Sequence, residues 1–263
     1  MIANFFQSLN RHNVGHLLIS GQATVLYGAA TFSEDIDLWV NPAPDNSARL
    51  LSALRECHAL YYKLTPPVAP EYLAHGHGFH FVLPGSAGSE TFLDVMGVPP
   101  RVGPFTAATA TARWMDTEWG RLHTIGLKDL VELKKTQRLE DYPIISNLAL
   151  AWFDQPESAQ TSADFNWALD NIFTLTALRN LFEEHPVVVE LASGEMAAEL
   201  KVFGEQILAG REAPENLEQQ LTAWMQQRMS ALQQTDRRYW REIIIELKQL
   251  RATGQLMTEG SAV

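Results

Sequence analysis

The stretch LLISGQATVLYGAATFSEDIDLWV, residues 17–40, determines the fold that we expect for the chain. It predicts an apolar strand, a Gly21-Gln22 turn, a short helix and a second strand that contains Asp35 and Asp37. Alternate side chains of a strand share a face, so the two carboxylates are expected side by side, roughly 6 to 7 Å apart at the backbone. Two ionised carboxylates this close repel each other, and a divalent cation between them would stabilise both charges. The stretch therefore predicts a metal site.

A solvated Asp-x-Asp strand edge is the alternative, but the upstream residues favour the metal site. Gly21 and Gln22 are followed by twelve residues and then by Asp35-Ile36-Asp37-Leu38. This segment resembles the signature of the DNA polymerase beta-like nucleotidyltransferase superfamily, in which a hydrophobic strand, Gly and a small residue precede Asp-hydrophobic-Asp-hydrophobic by a similar spacer. Ser33 stands where many small bacterial members have Ser or Thr. Gln22 departs from the pattern, because Gly or Ser is usual there.

A third acid, Asp94, stands between Leu93 and Val95 in the second of two later predicted strands, which a predicted turn at residues 84–89 joins. An ionised carboxylate is rarely placed in an apolar run unless it is paired or liganded. In the superfamily a third carboxylate comes from a strand beside the Asp-x-Asp strand, and Asp94 is the best positional match. An acid that faces solvent at the end of the sheet is the alternative. By the resemblance, the catalytic and metal-binding residues are Asp35, Asp37 and Asp94, which would hold two Mg²⁺ or Mn²⁺ ions.

A helix predicted for residues 127–141 has Lys134, Arg138 and Asp141 on one stripe, at positions i, i+4 and i+7. Such a stripe is usually a solvated face. The same pattern recurs after the third acid in small bacterial proteins of the nucleotidyltransferase fold. The resemblance therefore implies that Lys134 contacts the nucleotide triphosphate, with its neighbour Lys135 as the alternative. The other implied triphosphate contacts are Gly21, Gln22 and Ser33.

The composition excludes several classes of protein. A chain of 263 residues with 46% hydrophobic residues has ample apolar side chains for a packed core. Its formal net charge of -11 argues against a broad electrostatic footprint for long nucleic acids. Cys57 is the single cysteine, so no internal disulfide is expected and a cytoplasmic location is predicted. No signal peptide is predicted, because the first residues lack a basic region followed by an apolar one. No membrane helix is predicted, because polar residues interrupt the short apolar run at residues 14–30.

Other catalytic and metal motifs receive little support. His75, His77 and His80 are clustered in HGHGFH, but no cysteine or second histidine-rich segment completes a zinc site. The sequence has no Gly-x-Ser-x-Gly elbow, no Walker A loop and no Gly-x-Gly-x-x-Gly fingerprint.

From about residue 150 onward the sequence pattern is helical. Four helices without a catalytic motif are predicted, at residues 163–184, 193–209, 215–233 and 236–252. We therefore expect an α/β nucleotidyltransferase fold at residues 1–150, with a mixed, twisted sheet flanked by helices. An α-helical C-terminal domain is expected at residues 151–263.

The function that the resemblance implies is metal-dependent transfer of a nucleoside monophosphate from an NTP to a hydroxyl, with release of pyrophosphate. The acceptor is left open between a protein, a tRNA and a small molecule. The alternative is a non-catalytic nucleotidyltransferase-fold binding module, such as one half of a toxin–antitoxin or phage-defence pair with a small partner protein. The departure at Gln22 favours the binding module, whereas the retained Asp35, Asp37 and Asp94 favour the enzyme.

Overall fold

The computed structural model describes residues 2–85 and 88–263. Within this part of the chain, seven strands form one mixed sheet: β1 (His16–Ile19), β2 (Ile36–Val40), β3 (Leu60–Tyr61), β4 (Gly78–Pro84), β5 (Glu90–Met96), β6 (Arg113–Thr117) and β7 (Gly120–Thr124). Their order in the sheet is β3-β4-β5-β2-β1-β7-β6. The turn predicted between β4 and β5 includes Ser86 and Ala87, which lie outside the described residues.

Helices flank the sheet in sequence and dominate the C-terminal half of the chain. The N-terminal ones are α1 (Ile2–Arg11), α2 (Ser20–Leu26), α3 (Pro44–Glu56), α4 (Pro70–Ala74), α5 (Phe105–Thr111) and α6 (Leu127–Lys134). The later ones are α7 (Asp141–Ala151), α8 (Ser162–Asn171), α9 (Leu175–Glu184), α10 (Val188–Leu191), α11 (Ala197–Leu208) and α12 (Glu215–Ala252). The architecture confirms the predicted α/β class with a mixed sheet and a helical C-terminal stretch. No helix within the described residues is both long and apolar enough to cross a membrane.

Two compact units divide the chain. The first contains the chain up to Leu26, Ala30–Leu133 and Arg238–Val263, and the second contains Tyr27–Ala29 and Lys134–Arg237. This division differs from the predicted boundary at residue 150, because the chain end returns to the sheet. Ala262 forms a β-bridge with Leu60, and the amide of Tyr61 donates to the carbonyl of Ser261 at 2.9 Å.

One face of the sheet is buried with α1 and α3 in the core of the first unit. Ile36 and Leu38 of β2 and Leu93 of β5 are 0% exposed, and they alternate along their strands with half-buried residues. The helical members of the same cluster include Phe5, Phe6, Leu9, Leu50 and Leu54. Since neighbouring residues of a strand point to opposite faces, the half-buried Asp37 and Asp94 lie on the face opposite this core.

The ends of β1 and β2 are joined by Asn46, which is 0% exposed at the start of α3. Its Oδ1 accepts from the amide of Gly15 at 2.7 Å, and its Nδ2 donates to the carbonyls of Gly15 and Asn41 at 3.1 and 2.8 Å. Buried backbone polar groups need such partners. Asn46 thus fixes the place where β1 begins and β2 ends.

The continuous helix predicted for residues 127–141 is wrong, because α6 ends at Lys134 and α7 begins at Asp141. The segment between them offers no apolar stripe, and Leu139 is 64% exposed. The hydroxyl of Thr136 accepts from the amide of Arg138 at 3.1 Å. A local side-chain bond of this kind replaces a helical backbone bond and favours a turn.

The prediction of two helices at residues 215–233 and 236–252 is also wrong, since α12 is one helix of 38 residues. Gln234 and Thr235 do not break it, and the Thr235 hydroxyl bonds to the carbonyl of Ala231 at 3.0 Å within the helix. Conversely, the predicted helix 163–184 is divided into α8 and α9. Thr174 caps α9, with its hydroxyl accepting from the amide of Ala177 at 3.2 Å.

Replacing Asn46 with Ala is expected to lower the free energy of unfolding by about 3 kcal/mol, because it removes the Asn46 partners of the partly buried Gly15 amide and Asn41 carbonyl. Urea unfolding followed by circular dichroism measures the change. Ser52→Ala on the exposed face of the same helix is the control and should change stability by less than about 0.5 kcal/mol. Equal effects of the two substitutions would contradict the structural role of Asn46.

A hydrogen bond from Ser8 of α1 lowers the pKa of Glu56 at the end of α3. The Ser8 hydroxyl donates to Glu56 Oε2 at 2.6 Å and, with Arg11, lowers the pKa of Glu56 to about 2. A lowered carboxyl pKa gives stability that is present above the ordinary value of 4.5 and is lost as the pH falls towards 2. Ser8→Ala is expected to raise the pKa of Glu56, as measured by NMR titration of its carboxyl carbon. An unchanged titration curve would contradict the assignment.

Candidate functional site

Four neighbouring strands each place one residue in a row across the sheet face opposite α1 and α3. Ile19 of β1 pairs with Asp37 of β2, Asp37 pairs with Asp94 of β5, and Asp94 pairs with His80 of β4. Residues paired in register project from the same face, with Cβ atoms about 5 Å apart. Asp94 therefore comes from the strand beside the Asp-x-Asp strand, as the sequence predicts. We call Ile19, Asp37, Asp94 and His80 the acid row.

The imidazole of His80 holds the carboxylate of Asp94. His80 Nδ1 lies 2.7 Å from Asp94 Oδ1. An ionised carboxylate only accepts hydrogen bonds, so Nδ1 carries the proton of this bond, and the other ring nitrogen is Nε2. A Cβ added to Gly78 would lie 3.5 Å from that Nε2, which places the ring edge beside Gly78. From the sequence, His80 is a candidate only for a zinc site. The hairpin register of β4 and β5 pairs it with Asp94 instead.

Asp35 lies immediately before β2 and is not part of the strand, in contrast to the predicted i, i+2 pair on one strand. Partial burial raises the pKa of Asp35, the carboxylate of Asp94 raises it further, and Lys63 partly offsets the effect. The effect of Asp94 places both acids in one region of negative potential.

Gly21, Gln22 and Ser33, the predicted triphosphate contacts, lie together. A Cβ at position 21 would overlap the side-chain oxygen of Ser33, so only glycine fits there. Gln22 Nε2 donates to the carbonyl of Ser33 at 2.7 Å. The residue that departs from the superfamily pattern thus holds the segment that leads into Asp35.

Lys134 belongs to the second unit, where its ammonium is paired. Its side chain is 10% exposed, and Nζ lies 3.1 Å from Asp141 Oδ1. The other carboxylate oxygen of Asp141 lies 3.3 Å from Arg138 Nε and accepts from the Thr136 hydroxyl at 2.5 Å. The residues of the predicted stripe therefore meet around one carboxylate. That Lys134, and not Lys135, contacts a nucleotide stays a prediction.

The arrangement of the carboxylates bears on the predicted metal site. A divalent cation takes several oxygen ligands that converge on one point. In residues 2–85 and 88–263, no group of three or more His, Cys, Asp or Glu side chains is arranged to hold a metal ion. Asp37 and Asp94 are register partners, but Asp35 precedes the strand. Asp35, Asp37 and Asp94 therefore do not form a ready three-carboxylate site. The requirement for Mg²⁺ or Mn²⁺ stays a prediction.

A cavity of about 240 Å³ lies against the acid row, within the first unit. Its sheet side is lined by the whole acid row together with Leu38, Gly78, Val95 and Met96. Its other side is the last part of α12, which presents Trp240, Ile243, Ile244 and Leu247 at positions i, i+3, i+4 and i+7.

Two contacts hold this part of α12 in the first unit. Glu246 Oε2 lies 2.7 Å from Nε2 of His77, a residue that is 0% exposed. The hydroxyl of Tyr239 donates to the carbonyl of Val98 at 2.9 Å. The cavity wall therefore has fixed attachment points at both of its ends.

The chain has little detectable similarity to known proteins. No protein-family model matches the chain, and no curated protein matches it. A matching solved structure is an antigenic nucleotidyltransferase-like protein from Paracoccidioides brasiliensis, with 14% identity, coverage of 72% of this chain and 89% of that chain, and a TM-score of 0.35. A resemblance of this size establishes neither a shared fold nor a shared function.

The raised pKa of Asp35 predicts a pH-dependent effect of Asp35→Asn. When folding raises the pKa of an acid, the charged form destabilises the folded state; the penalty is absent below the unfolded pKa of 3.8 and complete above the folded pKa. In EDTA-containing buffer, Asp35→Asn should therefore raise the melting temperature at pH 7 but not at pH 3. Asp116→Asn on the exposed edge strand β6 is the control with little effect at either pH. A loss of stability at pH 7 would contradict the prediction.

Proposed function

We propose that this protein is a nucleotidyltransferase that moves a nucleoside monophosphate from an NTP to a hydroxyl acceptor. The observation that supports the proposal most is the in-register pairing of Asp37 with Asp94 across β2 and β5. The acids come from separate parts of the sequence, and Gln22 and Ser33, which share a hydrogen bond, precede Asp35 in the chain. This combination supports the proposal.

In the proposed reaction, the acceptor oxygen forms a bond to the α-phosphorus of the NTP. The bond from that phosphorus to the bridging oxygen breaks, and pyrophosphate leaves. We assign the proton of the attacking hydroxyl to the Asp94 carboxylate, which His80 holds in position. Asp37 would orient the reacting groups from the adjacent strand. The Gly21, Gln22 and Ser33 segment would bind the triphosphate through its backbone amides and hydroxyl.

One observation favours the alternative of a non-catalytic binding module. Lys134, the cation expected to neutralise the triphosphate, is already paired with the buried carboxylate of Asp141. A buried ion pair is costly to break, because it leaves an uncompensated charge. If Lys134 keeps this partner when nucleotide binds, the protein would lack that source of transition-state stabilisation. In this alternative the protein would be one half of a toxin–antitoxin or phage-defence pair and would bind a small partner protein.

Incubation of the purified protein with each α-labelled NTP, cell lysate and Mg²⁺ or Mn²⁺ tests the proposal. We expect label on a protein, a tRNA or a small molecule. Asp37→Asn and Asp94→Asn should each reduce the rate by about 100-fold or more, because each removes a group that acts at the reacting atoms. EDTA in place of the metal tests the predicted metal requirement separately.

Asp116→Asn is the control for loss of a carboxylate outside the acid row and should keep full activity. Unchanged transfer in the two acid-row variants would exclude this site as the reaction centre. NTP binding that depends on Asp37 without any labelled product would favour the binding module, and co-purification of a small partner protein would then identify the pair.

A further inference from the structure

We infer that the cavity between the acid row and the last part of α12 binds the acceptor, and that the acceptor is a small amino alcohol with an apolar body. The inference rests on the proposed function, because that function requires a hydroxyl acceptor beside Asp94. It selects one acceptor class from the protein, tRNA and small-molecule candidates. Four properties of the cavity support it: its polar end, its charge, its apolar wall and its size.

The polar end presents hydrogen-bond acceptors. Asp37 and Asp94 contribute carboxylate oxygens, and His80 directs Nδ1–H to Asp94. A ligand at this end must therefore donate hydrogen bonds. Ammonium and hydroxyl groups both do so.

The charge of the lining favours a cation. Asp37 and Asp94 line the cavity, and no Lys or Arg is among the described residues that form it. Like charges in neighbouring register positions repel each other, and a protonated amine between them would reduce that repulsion. The same field disfavours the β- and γ-phosphates in this cavity, so the triphosphate would meet the acceptor only through its α-phosphate, beside Asp94.

The wall of the cavity is apolar over one helical stripe. Trp240, Ile243, Ile244 and Leu247 face the acid row along α12. Ile244 is 45% exposed, which leaves part of a large apolar side chain for a ligand to cover. Polyhydroxylated sugars would lose hydrogen bonds to water against this wall without replacing them.

The size of the cavity limits the acceptor further. Its volume of about 240 Å³ is below the range of roughly 300–1,000 Å³ that is usual for sites of drug-sized ligands. An aminoglycoside exceeds this space, and a protein hydroxyl side chain or a tRNA end brings no ammonium group to Asp37 and Asp94. An aromatic or branched aliphatic amino alcohol fits the volume, the apolar wall and the acceptor groups together.

Binding of 2-amino-1-phenylethanol at neutral pH, without nucleotide or metal, tests the inference by NMR titration. Glucosamine is the polar probe with the same amine and hydroxyl donors, and phenylacetate is the apolar probe with the opposite charge. We expect saturable binding of the aromatic amino alcohol and at least about tenfold weaker binding of both comparison probes. Equal or tighter binding of glucosamine or phenylacetate would overturn the inference.

Ile244→Gln and Ile245→Gln form a matched pair, because the two residues are adjacent and 45% and 50% exposed, but only Ile244 lines the cavity. Ile244→Gln should weaken binding of 2-amino-1-phenylethanol about tenfold, and Ile245→Gln should leave it unchanged. Gly78→Ala is a second variant that should weaken binding of 2-amino-1-phenylethanol. Its added Cβ makes an ordinary 3.5 Å contact with His80 and takes up cavity space. Equal affinities in Ile244→Gln and Ile245→Gln would overturn the inference.

Transfer of label from α-labelled NTPs to 2-amino-1-phenylethanol separates this inference from the proposed function. A labelled product whose yield falls in Ile244→Gln supports both the acceptor inference and the proposed function. Cavity-dependent binding without labelled product on the probe or on any lysate component supports the binding site and overturns the proposed function. Label on a lysate component, combined with no binding of the amino alcohol probe, supports the proposed function and overturns the inference.

Discussion

The parallel pairing of β2 with β5 is the contact on which the candidate site depends. It sets Asp37 opposite Asp94, although 56 other residues separate them in the sequence. Register in a sheet is fixed wherever one face is buried, because a slip of one residue would exchange the buried and exposed faces. Ile36 and Leu93, both 0% exposed, hold this register from the opposite face. The same strand register therefore determines both the buried core on one face of the sheet and the candidate site on the other.

This constraint has an electrostatic cost, which the surrounding residues reduce. Two carboxylates at neighbouring register positions repel each other, and the pKa of Asp35 is raised partly by Asp94. His80 stabilises one carboxylate with a hydrogen bond of 2.7 Å. A site that keeps several acids close together, with no Lys or Arg among the described residues of its cavity lining, is arranged for a positively charged or hydrogen-bond-donating ligand. The proposed amino alcohol satisfies that requirement.

The second determinant of the site is the end of α12. The helix begins in the second unit, and from Arg238 onward its residues belong to the first. Glu246 meets His77, and the apolar stripe from Trp240 to Leu247 faces the acid row. The C-terminal helix therefore supplies one wall of the candidate site. A truncated chain that lacked this segment would have an open acid row and no cavity.

The choice of Asp94 as the third acid comes from the resemblance to the nucleotidyltransferase superfamily, and its role stays a prediction. The sequence by itself determined the α/β class and the strands around the Asp-x-Asp motif. These features follow from local alternation of apolar and polar residues, which is visible in a short window. Only the tertiary structure decided the pairing of His80 with Asp94, the wall formed by α12 and the partner of Lys134. Each depends on contacts between residues that are distant in the sequence or that a turn brings together, as at Thr136. Local periodicity contains no information about such contacts, so the helix predicted through residues 127–141 and the break predicted in α12 were both wrong.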